Sequence, residues 1–162
     1  MRIYTLGTSK RSPEEFREIL KKYKIEVIFD VRRFPTSQFA HFQKENLKKI
    51  CEDNGIEYCH LGEELGGYRK GGYQEYTKTK EFKSGLEKIK VKAKDKITCI
   101  LCAEKIPFRC HRRFITQELE KEGIEIIHIL EIDKTIPKMA FAIGLGGAGE
   151  NVVKTLWKKF SE

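Results

Sequence analysis

The 162-residue chain has no apolar run long enough to cross a bilayer. Met1-Arg2-Ile3-Tyr4 opens directly into a strand-like run, not a basic stretch followed by an apolar leader. A membrane protein or an exported one is therefore not expected, and a cytoplasmic one is. Asn and Gln are scarce while 35% of the residues are charged, which leans towards a thermophilic source. Cysteine is too sparse for a secreted disulfide framework. Cys51, Cys59, Cys99, Cys102 and Cys110 are odd in number and irregularly spaced, and a chain of this size needs no staples. A single disulfide would still suit a hyperthermophile. No nucleic-acid reader motif is present.

What is present is enough apolar material, 40% of residues, to build a core in one domain. The net charge is +8, which favours anionic ligands by long-range attraction. Pairs such as Lys21-Lys22 and Lys48-Lys49 are read as solvated helix faces. Along the chain, strand-like and helix-like runs alternate. Residues 3–6 form an apolar strand ending at Gly7-Thr8-Ser9. Ser12-Pro13-Glu14-Glu15 opens a helix with a cap, a proline at its first position and a carboxylate in its first turn. Val27-Ile28-Phe29 is a buried-strand signal ending at Asp30-Val31-Arg32. Residues 44–53 read as a helix closed by Asn54-Gly55. Residues 56–61 form a strand, 62–72 a glycine-rich loop and 75–90 a helix. Residues 97–102 form a strand, 114–123 a helix and 124–130 the last strand. Five strands joined by helical crossovers predict an α/β fold. The expected form is a single domain with a mainly parallel, five-stranded Rossmann-like sheet and helices on both faces. The domain spans residues 1–133, with a C-terminal extension over 134–162.

The strand ends collect chemistry on one edge, where this architecture places ligands. Cys102-Ala103-Glu104 ends one strand, and Cys110-His111-Arg112-Arg113 begins the following helix, whose first N–H groups favour anions. Cys99 and Cys102 form a CxxC, but residues three apart on a strand face opposite sides, so they share neither metal nor disulfide. Cys99, Cys51 and Cys59 are read as core thiols. Cys102 and Cys110 leave three readings open: an activated nucleophile with a neighbour, a disulfide, or two separate core thiols. No metal and no cofactor are predicted, because Cys102, Cys110 and His111 in basic surroundings match no closed structural zinc site.

Glu104 and Asp30 could work as an acid–base pair, or each could pair with an arginine, Asp30 with Arg32 or Arg112 and Glu104 with Arg113. His111 is the first imidazole candidate and His60 the second. His128 alternates with apolar residues and is expected in the core. His41 is a candidate for a pocket rim. Two loops, one bearing Phe34, Phe39, His41 and Phe42 and the other Tyr68, Tyr73 and Tyr76 with Arg69 and Lys70, suit a base or sugar carrying a phosphate. Phe34 and Tyr76 are also expected to cap the core.

The tail contains Gly144-Leu145-Gly146-Gly147-Ala148-Gly149, a match to G-x-G-x-x-G. The second strand and ribose-binding acid that a dinucleotide site needs do not follow. It reads as a glycine turn before an amphipathic helix, with Val152, Val153, Leu156, Trp157 and Phe160 as an apolar stripe that could dock on the sheet or join subunits into a homo-oligomer.

Thr5-Leu6-Gly7-Thr8-Ser9, Asp30-Val31-Arg32 with Phe34-Pro35, Leu65-Gly66-Gly67, Cys102-Ala103-Glu104 and Cys110-His111-Arg112 fall in an order and spacing that resembles the Domain of Unknown Function 488 family. The resemblance covers roughly the first four-fifths of the chain. It implies an α/β fold and a shared site without naming a reaction. Thr8 stands where the family more usually has histidine, so no imidazole role is carried to that position.

These readings converge on an enzyme, a hydrolase or transferase for a phosphorylated or nucleotide-like small molecule. Cys102 and Glu104 would stand at the reacting centre, with Asp30 and His111 as acid–base or orienting groups. Gly7, Ser9, Gly66 and Gly67 would line the substrate, Tyr73 and Tyr76 would contact it, and Arg32, Cys110 and Arg112 would hold its anion. One alternative is rhodanese-like sulfur transfer or phosphatase-like cysteine chemistry. There the loop arginine follows the cysteine after four or five residues, whereas Arg109 follows Cys102 after six. Another is a non-enzymatic nucleotide or nucleic-acid binding module, which the dispersed basic residues favour less.

Overall fold

A computed structural model describes residues 1–137. The glycine turn and amphipathic helix read over 144–160 lie outside the described residues. Six strands form one sheet in the order β3-β2-β4-β1-β5-β6. They are β1 (Arg2–Gly7), β2 (Val27–Asp30), β3 (Glu57–His60), β4 (Thr98–Cys102), β5 (Glu125–Glu131) and β6 (Lys134–Ile136). The first five pair in parallel, and β6 returns antiparallel to β5. The expectation of five strands is therefore corrected to six. The last strand has three residues, two of them exposed, and follows a bulge at Ile129/Glu131, so it carries no apolar run that would reveal it.

Strand alternation assigns each side chain to a face. Val27, Phe29 and Val31 join Ile100 and Cys102 on one side, under Phe82, Leu86 and Ile89 of α5 (Lys80–Ala93) and Ile115 and Leu119 of α6 (Arg112–Lys121). Ile28, Cys99 and Leu101 face the other side, against Phe16, Ile19 and Leu20 of α1 (Pro13–Lys22) and Leu47 and Cys51 of α2 (Lys44–Asp53). Each fully buried Leu, Ile or Phe removes enough apolar surface from water to stabilise by roughly 1.5–3 kcal/mol. Cys99 and Cys102 do lie on opposite faces of the sheet, as a spacing of three requires.

Local signals place the helix ends. The Ser12 hydroxyl accepts from Glu15 N–H at 3.1 Å, and Pro13 takes the first position of α1. Gly55 at φ +70° and Gly123 at φ +82° follow the ends of α2 and α6. The helix expected over 75–90 is instead two. α4 (Tyr73–Tyr76) ends, and Thr79 Oγ1 accepts from Phe82 N–H at 3.3 Å to cap a fresh start for α5. The loop expected over 62–72 contains a single helical turn, α3 (Gly62–Leu65). Among the described residues no helix is long and apolar enough to cross a membrane.

The topology matters because β4 lies between β2 and β1. The carboxyl ends of these three central strands therefore bring Asp30, Cys102 and Gly7 to one edge of the sheet.

Candidate active site

The segment after β4 is tied to the segment after β1. Thr8 N–H donates to Cys102 O at 2.8 Å and Ser9 N–H to Ala103 O at 2.9 Å. A short 3-10 turn, Pro107–Arg109, then reverses the chain and delivers Cys110 and His111 at the start of α6. Ligand atoms of Cys102, Cys110 and His111 all lie within 4.8 Å of one another. His111 Nε2 lies 2.9 Å from Val31 O. A carbonyl can only accept, so Nε2 carries a proton, and Nδ1 faces Gly67. A side chain at position 67 would put its Cβ 3.2 Å from Nδ1.

The two thiols divide one proton unequally. The Cys110 S–H, with His111 and Arg112 nearby, holds the Cys102 thiol down at about 5, against the burial that opposes it. Cys110 is pushed up by the same hydrogen bond, because it is the donor to a thiolate. Its sulfur in turn accepts from Arg112 N–H at 3.4 Å. By contrast, burial pushes Cys51 and Cys99 up to about 12.

Arg112 sits beneath this pair and is 1% exposed. Its Nη2 donates to Glu104 O at 2.9 Å, while Nε and Nη1 have no hydrogen-bond partner among the described residues. A buried guanidinium with spare N–H groups is costly unless negative charge lies close. A Cys102 thiolate supplies that charge. Arg113, one residue on, is exposed.

An open pocket of about 670 Å³ lies over the thiols. It is lined by Arg32, Arg33, Phe34, Thr36, Gly67, Tyr68, Cys102, Ala103, Glu104, Arg109, Cys110 and His111. Nine of the residues singled out in the sequence are therefore brought together here: Cys102, Glu104, His111, Arg32, Phe34, Gly67, Tyr68, Cys110 and Arg109. A second depression of about 610 Å³ beside α1 is lined by residues such as Glu14, Arg17, Glu18 and Lys21 and carries neither thiol nor imidazole.

The other singled-out residues do structural work around the pocket. Asp30 is fully buried and clamped by Arg32, whose Nε and Nη2 reach Oδ1 at 2.9 Å and Oδ2 at 2.8 Å. Tyr58 O–H also donates to Asp30, and Arg32 Nη1 donates to Phe42 O at 2.7 Å. This is the pairing of Asp30 with Arg32 that the sequence left open. Glu104 Oε1 accepts from its own loop, Ile106 N–H, at 3.2 Å. Gly7 makes room for the backbone of Glu104 and Lys105, and Gly66 for Gly62 O and Arg33. Ser9 is in the left-handed region at φ +48° with its N–H on Ala103 O. Tyr73 packs its ring 5.3 Å from His111 and donates to Leu65 O, and Tyr76 donates to Glu64 O. Arg69 caps the end of α3 through Gly66 O and stacks 4.0 Å over Tyr76. His60 is held on Arg32 O and His41 on Arg11 O, and neither lines the pocket. His128 is in the core as expected, with Nδ1 2.7 Å from Thr5 Oγ1, and burial lowers it to about 3.

Phe34 was expected to cap the core and does not; it is 65% exposed at the pocket mouth. The chain turns outward after Arg32, and Arg33 Nη1 bridges across to Tyr68 O at 2.6 Å, tying the two loops to each other. Tyr68, at φ +60°, is 87% exposed on the opposite loop. Arg33 and Thr36 also line the pocket and were not foreseen. The Arg33-Phe34 adjacency directly after a strand end was their only available signal.

The family model for the domain of unknown function DUF488 matches residues 12–119, and the chain belongs to that family. No curated protein and no solved structure matches the chain.

Proposed function

We propose that this DUF488 member is an enzyme, a hydrolase or transferase acting on a phosphorylated or nucleotide-like anionic small molecule, with Cys102 as its nucleophile. The observation that carries this reading is the placement of Cys102. Its sulfur ends a central strand and opens onto the pocket, and the Cys110 S–H and the buried Arg112 charge lower its thiol pKa. Arg33 and Arg109 line the same pocket and suit an anion. Phe34 and Tyr68, exposed on opposite loops of the mouth, suit a planar base.

In the first step the Cys102 sulfur forms a bond to the electrophilic phosphoryl or carbonyl centre. The bond to the leaving group breaks, and the leaving group departs with that electron pair and takes a proton from solvent. Water, or an acceptor hydroxyl, then displaces the sulfur and gives up its own proton, restoring the thiolate. His111 Nδ1, with Nε2–H fixed on Val31 O, is oriented to accept that proton. Free thiols throughout the chain suit a reducing compartment such as the cytoplasm.

The test is a thermal-shift screen of phosphometabolites and nucleotides against the protein and its Cys102→Ser and Phe34→Ala/Tyr68→Ala variants. A ligand should raise the melting temperature of the protein and of Cys102→Ser, and lose most of that effect in the aromatic double variant. Hydrolysis or transfer of the hit should vanish in Cys102→Ser. Binding of oligonucleotides with a steep salt dependence, and of no small anion, would point instead to a nucleic-acid binding module.

A further inference from the structure

Beside the pocket's nucleophile, the structure places a second thiol that the transfer chemistry uses only as a hydrogen-bond donor. Cys110 reaches the site from a different element, eight residues along the chain, through the Pro107–Arg109 turn. It lines the pocket beside Cys102, so a small solute that meets one sulfur meets both. The other three cysteines are placed elsewhere. Cys99 and Cys51 are buried on the far side of the sheet, and Cys59 is on β3, beside Glu57. The pairing is thus local to the site.

We propose that Cys102 and Cys110 form a peroxide-sensitive dithiol, in which Cys102 is oxidised and Cys110 resolves it to a disulfide. The proposal rests on the reading of Cys102 as the pocket's nucleophile and adds a hydroperoxide as a second class of reactant. The chemistry runs in two steps. The Cys102 thiolate attacks the distal oxygen of the hydroperoxide, the O–O bond breaks, and the alkoxide or hydroxide leaves and picks up a proton. Cys102 is now a sulfenic acid, oxidised by two electrons, and the peroxide is reduced by two. The Cys110 sulfur then attacks the Cys102 sulfur, the S–O bond breaks, and the oxygen leaves as water with the proton from Cys110. An external dithiol reductant returns both thiols by exchange. The sulfurs already lie within 4.8 Å, so side-chain rotation has little distance to close to reach the S–S bond length of about 2.05 Å.

Geometry and charge also separate this from a metal site. His111 could add a third ligand. The buried Arg112 cation beneath the pair opposes a divalent ion, and Arg112 N–H is already spent on the Cys110 sulfur. A thiolate–arginine neighbourhood instead favours attack on a peroxide, because the buried guanidinium charge favours the thiolate form of Cys102, which is the nucleophile.

The experiment treats the reduced full-length protein with one equivalent of hydrogen peroxide. Free thiols are then counted, the protein is digested, and dimedone trapping and iodoacetamide labelling are run in parallel. Two of the five thiols should disappear. The peptides carrying Cys102 and Cys110 should be cross-linked, and dithiothreitol should restore both. In Cys110→Ser the reaction should stop at a dimedone-reactive Cys102, and Cys110→Ala serves if the serine variant does not fold. If the unaltered protein also stops at dimedone-labelled Cys102, Cys110 is not a resolving thiol, although Cys102 remains a nucleophile. If Cys102 of the reduced, untreated protein does not take iodoacetamide, and Cys110→Ser gives no dimedone adduct after peroxide, the nucleophile itself is refuted and this proposal with it. Stoichiometric zinc that shields both thiols until chelated would overturn the dithiol in favour of a metal site.

Discussion

A Cβ added to Gly7 would lie 2.1 Å from the carbonyl oxygen of Glu104. The end of β1 therefore makes way for the backbone that carries Cys102 and Glu104, and that same carbonyl receives Arg112 Nη2. Gly7→Ala should displace the 103–105 segment and cost about 1–3 kcal/mol, as overpacking does. A fall in melting temperature, together with slower alkylation of Cys102, is the expected outcome. Unchanged alkylation would show that the segment yields without moving the thiol.

Cys102 should react with iodoacetamide below neutral pH. Its rate should rise through pH about 5 and level off, while Cys51 and Cys99, raised to about 12, stay unlabelled in the folded protein. Equal, slow labelling of all the cysteines under reducing conditions would leave Cys102 a structural residue.

Arg112 and Arg113 should separate cleanly. Arg112→Lys keeps a charge but loses the planar fork that holds Glu104 O, so the Cys102 titration should move upward and any anion should bind more weakly. Arg113→Lys, on the exposed face of α6, should change neither. Rate–pH profiles for the two variants make the comparison, with phosphate calorimetry as the second readout.

Asp30→Ala should destabilise the fold by about 3–5 kcal/mol, because it leaves the Arg32 guanidinium buried beside an empty position. Urea unfolding measures the loss. A catalytic Asp30 would behave otherwise: Asp30→Asn would abolish turnover with little change in the midpoint.

His128 gives a signed pH effect. Its folded value is about 3, against 6.5 when unperturbed. Between those limits the unfolded chain binds a proton that the folded state refuses, so stability falls as pH drops from 6.5 towards 3. The double variant Thr5→Val/His128→Leu removes both partners of the buried bond and should flatten that part of the stability curve. An unchanged acid slope in urea titrations would assign the loss to other groups.

Several features of this protein follow from the sequence alone, because they depend on short-range rules. The cap at Ser12-Pro13, the glycine closing α2, the opposed faces of Cys99 and Cys102 and the burial of His128 each need only a helical or strand period and a turn residue. The parallel sheet follows from crossover length, and the gathering of Cys102, Glu104, Cys110 and His111 from the rule that strand ends share an edge.

Tertiary structure decided the rest. Which of the nearby arginines would pair with Asp30 depends on Phe42 and Tyr58 arriving from distant segments to complete the same cage. Whether Arg112 faces an open pocket or lies beneath the thiols depends on the fold of 103–111 over Gly7, which no local pattern encodes. Phe34 reads as a core ring by hydrophobicity, yet Arg33 ties its loop to Tyr68 O and turns the ring outward. The strand β6 exists only because β5 presents an edge for three residues to pair with. Local periodicity fixes what a segment is, and only the packing of segments from across the chain fixes what each side chain meets.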